Sequence, residues 1–169
     1  MSKLINVFWK ICLLRLAPQD LPSSAFLMYF SVAAYAFASL LVGLVSLDPL
    51  SALLSAVLDV ALVAALTMLL LWIKELAARF QQTFTALMGT GAILGFLALP
   101  VVFLQAHAGE QGAALPSVMI LVLMVWNLNV VGHILRHAIT APFFVGVLLA
   151  LIYMYVSISV MRSLFSPAT

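Results

Sequence analysis

The sequence predicts an all-α, polytopic membrane helical bundle: five transmembrane helices preceded by an N-terminal interfacial amphipathic helix. Three observations carry that prediction. Hydrophobic residues fill 66% of the 169 positions and charged residues only 7%, where soluble domains carry roughly 25% charged residues. The mean hydropathy of +1.27 leaves too little polar side chain to clothe a water-facing surface. The apolar residues also gather into five runs, each near the ~20 residues that carry a helix across a ~30 Å hydrocarbon core. In that solvent every backbone polar group must be bonded internally, which selects the helix.

Taken in order, the first element is the N-terminal helix. Leu4, Ile5, Phe8, Trp9, Cys12, Leu13 and Leu16 recur at helical spacing, with Lys3, Asn6 and Lys10 on the opposing side, the pattern of a helix lying in the interface with its basic residues toward headgroups. Lys10 and Arg15 break the apolar run too early for a secretory signal, so the segment is read as retained. Pro18 and Pro22 end it. Residues 1–22 thus form an interfacial helix with a proline-bounded linker, and residues 23–169 a five-helix transmembrane domain.

The first span covers 24–47, capped by Ser23 or Ser24. A tight turn at Asp48-Pro49 opens the second, 49–73. Lys74, Glu75, Arg79, Gln81 and Gln82 form a polar link before the third, 84–104, which carries Gly89, Gly91, Gly95 and Pro100. Gly91 and Gly95 make a GxxxG pattern, which lets two helix backbones approach closely, either inside the bundle or at a self-association face. A polar loop with His107, Gly109, Glu110 and Gly112 leads to Pro116 and the fourth span, 115–135. Thr140 and Pro142 introduce the fifth, which ends near Met161 and Arg162. No internal repeat supports an inverted-repeat transporter.

Orientation follows from the basic residues. With the N-terminus inside, Lys3, Lys10, Arg15, Lys74, Arg79 and Arg136 share one side and only Arg162 lies on the other. Lys and Arg are retained on the cytoplasmic face, so the expected arrangement is N-terminus cytoplasmic, C-terminus outside. Short loops and the absence of targeting signals favour a bacterial inner (cytoplasmic) membrane.

The same inventory excludes several functions. A net charge of +2 is too small and scattered for a nucleic-acid surface. With Cys12 as the only cysteine there is no intrachain disulfide, no paired-cysteine zinc site and no Cys-x-x-Cys motif. Cys12 itself reads as a buried apolar thiol or an interfacial palmitoylation site. No phosphate-binding glycine loop, HExxH helix or nucleophile–base series is present. Asp59 is the sole acid in any span, so paired-aspartate proteolysis is ruled out. No catalytic residue, metal or other cofactor is expected.

Asp59 is the sharpest feature. It lies near the middle of the second span, where burying a carboxylate costs roughly 3 kcal/mol even on insertion scales. It is either a proton or cation site or a neutral, hydrogen-bonded acid that fixes helix packing. Asn127 falls at a similar depth on the fourth span. Asn129, His133, Arg136 and His137 follow at i, i+4, i+7 and i+8 as one polar stripe, which either lines a hydrated cleft or forms an ordinary helix end reaching the interface. His133 and His137 have the spacing of two metal ligands, but a third ligand is missing. Tyr153, Ser157, Tyr155 and Ser159 on the fifth span read as packing groups.

The five-span plan with a cytoplasmic start resembles the Yip family of small membrane proteins. The local likeness runs from Val125-Trp126-Asn127-Leu128 through His133, Arg136 and His137 to Ala141-Pro142, and looks like that family's fourth helix, basic turn and fifth helix. Pro18 to Pro22 does not reproduce the acidic and tyrosine-containing motif of eukaryotic members, so GTPase interaction and vesicle traffic are not implied. The resemblance implies a non-enzymatic membrane component. The expected function is a scaffold or accessory subunit of a membrane assembly, with the lipid bilayer and a membrane-protein partner or second copy as partners. The alternative is a small proton- or cation-coupled carrier using Asp59 and the fourth-span stripe.

Overall fold

The structure is a computed structural model that describes residues 2–109 and 112–165. All its regular elements are helical: α1 (Ser2–Cys12), α2 (Ala25–Gly43), α3 (Pro49–Ile73), α4 (Phe80–His107), α5 (Ala114–Ala138) and α6 (Phe143–Phe165). Five of these, α2 to α6, are long and apolar enough to cross a membrane. Phe26, Leu50, Trp72, Leu115 and Phe144 project from the outside of the bundle, a continuous apolar surface of the kind water does not tolerate around a monomer.

Local chemistry sets the helix ends. Ser24 accepts from the Leu27 amide at 3.4 Å and starts α2. Asp48 accepts from the Ser51 amide at 3.0 Å, with Pro49 as the first residue of α3, so two donors that no helix can satisfy internally are either bonded or absent. Leu14, Glu75 and Thr140 adopt positive φ (60°, 58° and 53°) just beyond α1, α3 and α5, the left-handed turn that usually falls to glycine. These three turns lie together at one end of the bundle with Arg15, Lys74, Arg79 and Arg136. We call this the basic end; Arg162, in the last turn of α6, lies at the far end.

The helices form a ring in the order α3, α2, α4, α5, α6, which α6 closes against α3; the most extensive contact is between α2 and α4. Small residues set the closest crossings. A Cβ on Gly95 would meet Ala38 at 3.1 Å, one on Gly43 would meet Ala52 at 3.3 Å, and one on Gly146 would lie on the Gly132 carbonyl. The Gly91 and Gly95 face is therefore turned inward onto α2.

Two sequence expectations need correction. The third span begins at Phe80 rather than 84, so Gln81 and Gln82 are helical. Their polar groups find partners that let the helix extend: Gln82 Nε2 donates to the Leu21 carbonyl at 2.8 Å, and the Gln81 carbonyl accepts from Thr85 at 2.6 Å. The first span ends at Gly43, and residues up to Leu47 form the turn.

The N-terminal helix also differs from an interfacial one. Phe8, Ile11 and Cys12 of α1 are buried in the core, against α4 and α5. Gly89 makes this possible, because a Cβ there would collide with the Phe8 ring. Ile5, expected on the apolar face, is 64% exposed. Glu110 of the polar loop and Thr169 at the C-terminus lie outside the described residues.

Candidate functional site

Asp59 is ten residues into α3, about 15 Å from its start, and it meets two hydroxyls. Tyr35 of α2 donates to Asp59 Oδ2. Ser157 of α6 donates to Oδ1 at 3.1 Å. Each carboxylate oxygen thus has a donor from a different neighbouring helix, and the acid is held between α2 and α6. Such donors stabilise an ionised carboxylate and position a protonated one.

Two cavities meet at this residue. The larger, about 560 Å³, runs from Tyr35, Asp59 and Asn127 toward Leu47, Val102 and Met161 at the far end. The smaller, about 220 Å³, continues from Asp59 toward Val63 and Tyr153. Tyr153 donates to Thr67 at 2.9 Å across its floor. Beyond that bond Leu71 and Ala138 are buried, and the core around Phe84, Leu87, Val130 and Ile134 closes the basic end. Asp59 therefore stands where the two cavities join. It is the only charged side chain among the described residues that line either cavity.

The sequence-derived candidates divide into two groups. Asp59 and Asn127 share the cleft, with Gly91 forming part of the wall and Gly95 beside it. Asn129, His133, Arg136 and His137 line neither cavity. Asn129 Nδ2 donates back to the Val125 carbonyl at 2.8 Å. His133 is buried, and its Nε2 donates to the Leu16 carbonyl at 2.9 Å. Its Nδ1 accepts a weak bond from Arg136 at 3.4 Å. The Arg136 guanidinium lies 5.3 Å from the Phe143 ring centre, within the range of a cation–π contact. The His137 carbonyl accepts from Gln19 at 2.7 Å. The stripe below Asn129 is thus the seat on which the segment after α1 rests. His107, the remaining histidine, sits at the far end and folds onto Phe103.

Tyr35 and the role of Ser157 escaped the sequence reading, yet the pairing of Tyr35 with Asp59 has a sequence signal. Both lie twelve positions from Leu47, at the centre of the α2–α3 turn, so an antiparallel hairpin must bring them to one level. Gly132 and Gly146 are related in the same way about Ile139. Compared with family models, curated proteins and solved structures, the chain has no match.

Proposed function

We propose that this protein is a non-enzymatic, multi-pass protein of the bacterial inner membrane, N-terminus cytoplasmic, that binds a proton or cation at Asp59 as a small coupled carrier. The observation that supports this reading is the position of Asp59: mid-helix, held by Tyr35 and Ser157, and open through a cavity to one end of the bundle. Ionisable groups within spans face bundle interiors or hydrated cavities where they carry protons or ions. With the positive-inside bias, the cleft would open to the outside.

The second reading is a scaffold or accessory subunit that holds a membrane-protein partner or a second copy, in line with what the Yip-like layout implies. It is favoured by the small-residue seams at Gly95–Ala38, Gly43–Ala52 and Gly132–Gly146. Such close backbone crossings leave little freedom for the rocking that alternating access requires.

Reconstitution separates the two. Vesicles containing the protein and an entrapped pH-sensitive dye are expected to show proton movement when a gradient of at least one solute from a panel of organic cations, amino acids and sugars is imposed, and Asp59→Asn to abolish it. Equal dye responses from the native protein, Asp59→Asn and empty vesicles would leave the scaffold reading in place.

A further inference from the structure

We infer that the cleft takes a lipophilic organic monocation, its charged end beside Asp59 and its apolar body in the outer cavity. The inference rests on Asp59 being a functional acid and adds the class of ligand. Four features of the cleft select that class. Its volume, about 560 Å³, lies within the roughly 300–1,000 Å³ of small-molecule sites. Its outer walls are mainly apolar, with Val42, Leu94, Ala98, Val102, Ile120 and Leu123 among the lining and Ser39 and Ser55 the hydroxyls in it. Among the described lining residues Asp59 is the one carboxylic acid, with no Lys, Arg or His beside it, so an anion would meet a carboxyl group and no counter-charge from them. The fourth feature is Tyr35, whose ring lies against Gly91 in the wall beside the carboxylate and offers a face for a cation.

Competing ligand classes fit less well. A bare divalent ion such as calcium takes six to eight oxygens, whereas the polar side chains lining the cavities with Asp59 are Tyr35, Ser39, Ser55, Asn127, Tyr153 and Ser157, of which Tyr35 and Ser157 already bond Asp59, Ser55 bonds the Ala52 carbonyl and Tyr153 bonds Thr67. A polyol needs hydrogen bonds along its whole length, and beyond Ser39 and Ser55 the outer wall offers no polar side chain among the described lining residues. A cation with an apolar body matches both ends at once: charge pairing at the foot, where the dielectric is low, and burial of hydrocarbon along the walls. Tyr35 from α2 and Tyr153 from α6 are the titratable groups that face the Asp59 region; α4 and α5 present none among the described lining residues.

The test is equilibrium dialysis of the full chain in mild detergent against tetraphenylphosphonium, with tetraphenylborate as an anion of the same shape. The expected result is saturable binding of the cation, none of the anion, and at least about tenfold weaker binding by Asp59→Asn, equivalent to ~1.4 kcal/mol. Ala98→Trp, which fills the outer cavity away from the carboxylate, is expected to block binding too. Shielding of Cys12 from maleimide checks that each variant is folded. Infrared difference spectra on changing pH report separately whether the Asp59 carboxyl exchanges protons. Exchange of protons without cation binding would overturn the ligand class and leave the proton site standing; absence of both would overturn the two together. Cation binding undiminished in Asp59→Asn would reduce the cleft to an apolar surface and overturn the inference.

Discussion

The indole Nε1 of Trp126 donates to the carbonyl of Cys12 at 2.8 Å, joining the last residue of α1 to the middle of α5. The Trp9 and Trp126 rings meet edge to face with centroids 6.0 Å apart, so one residue supplies both a hydrogen bond and an apolar contact. A helix C-terminus has carbonyls that its own backbone cannot satisfy, and this one finds a donor inside the bundle. Trp126→Phe keeps an aromatic ring and removes the donor. The expected result is a loss of about 1–3 kcal/mol of stability, the penalty for an unsatisfied buried acceptor, read as a lower melting temperature.

The Cys12 thiol reports the same docking. It is fully buried, and burial pushes its pKa up to about 11, so thiolate is scarce near neutrality and reaction with maleimide is slow. Labelling of the native protein should stay slow at pH 7 and become rapid once the chain is unfolded in SDS. His133→Ala, which removes the bond to Leu16, should speed labelling in the folded protein by freeing α1.

Glycine positions should rank by what a methyl group would strike. Gly146→Ala drives a Cβ onto the Gly132 carbonyl, a backbone atom unable to yield, and should destabilise the α5–α6 pair by ~2 kcal/mol or more. Gly95→Ala meets only the Ala38 methyl, at 3.1 Å, and should cost under ~1 kcal/mol. Gly91→Ala would strike the Tyr35 ring; it should displace the Asp59 hydroxyl donor and impair binding more than it lowers the melting temperature.

A strained turn offers a stabilising change. Thr140 is β-branched yet holds φ at 53°, where glycine meets no steric penalty. Thr140→Gly should raise the melting temperature slightly, because relief of about 1–2 kcal/mol of strain exceeds the roughly 0.4–1 kcal/mol by which glycine favours the unfolded chain.

Acid should loosen the α2–α3 turn. Hydrogen bonds from Ser51 hold the Asp48 carboxyl below its usual 3.8. A depressed folded-state pKa means the cap contributes fully above the unfolded value and is lost as pH falls through the folded one. Hydrogen exchange at the Ser51 amide should therefore accelerate, relative to unstructured amides, only below about pH 4. Asp48→Asn, whose amide oxygen can cap without titrating, should remove that pH dependence.

Much of this was legible in the sequence, because its strongest signals are local. Ser24, Asp48 and Pro49 mark helix starts by their own chemistry, and α3 and α5 follow from long apolar runs. The level shared by Asp59 and Asn127 came from counting residues along helices. What escaped depends on contacts between distant segments. Ile11 is completely buried and Ile5 exposed, although periodicity placed Ile5 on the apolar face, because the buried side is set by where α1 packs on α4 and α5. The Asn129-to-His137 stripe could not be told from a cleft lining, since its partners, Leu16 and Gln19, lie in the linker 117 and 118 positions earlier. Ser157 was one hydroxyl among several until α6 was set beside α3.

The seat of α1 also imposes an order on synthesis. α1 rests on Gly89 and Trp126, and the linker after it bonds His133 and the carbonyl of His137. Gly89 belongs to α4 and the other three residues to α5, so the full seat exists only once both helices have been made. Docking of α1 therefore follows the formation of helices that come after it in the sequence, and α1 with its linker acts as a clasp across α4 and α5.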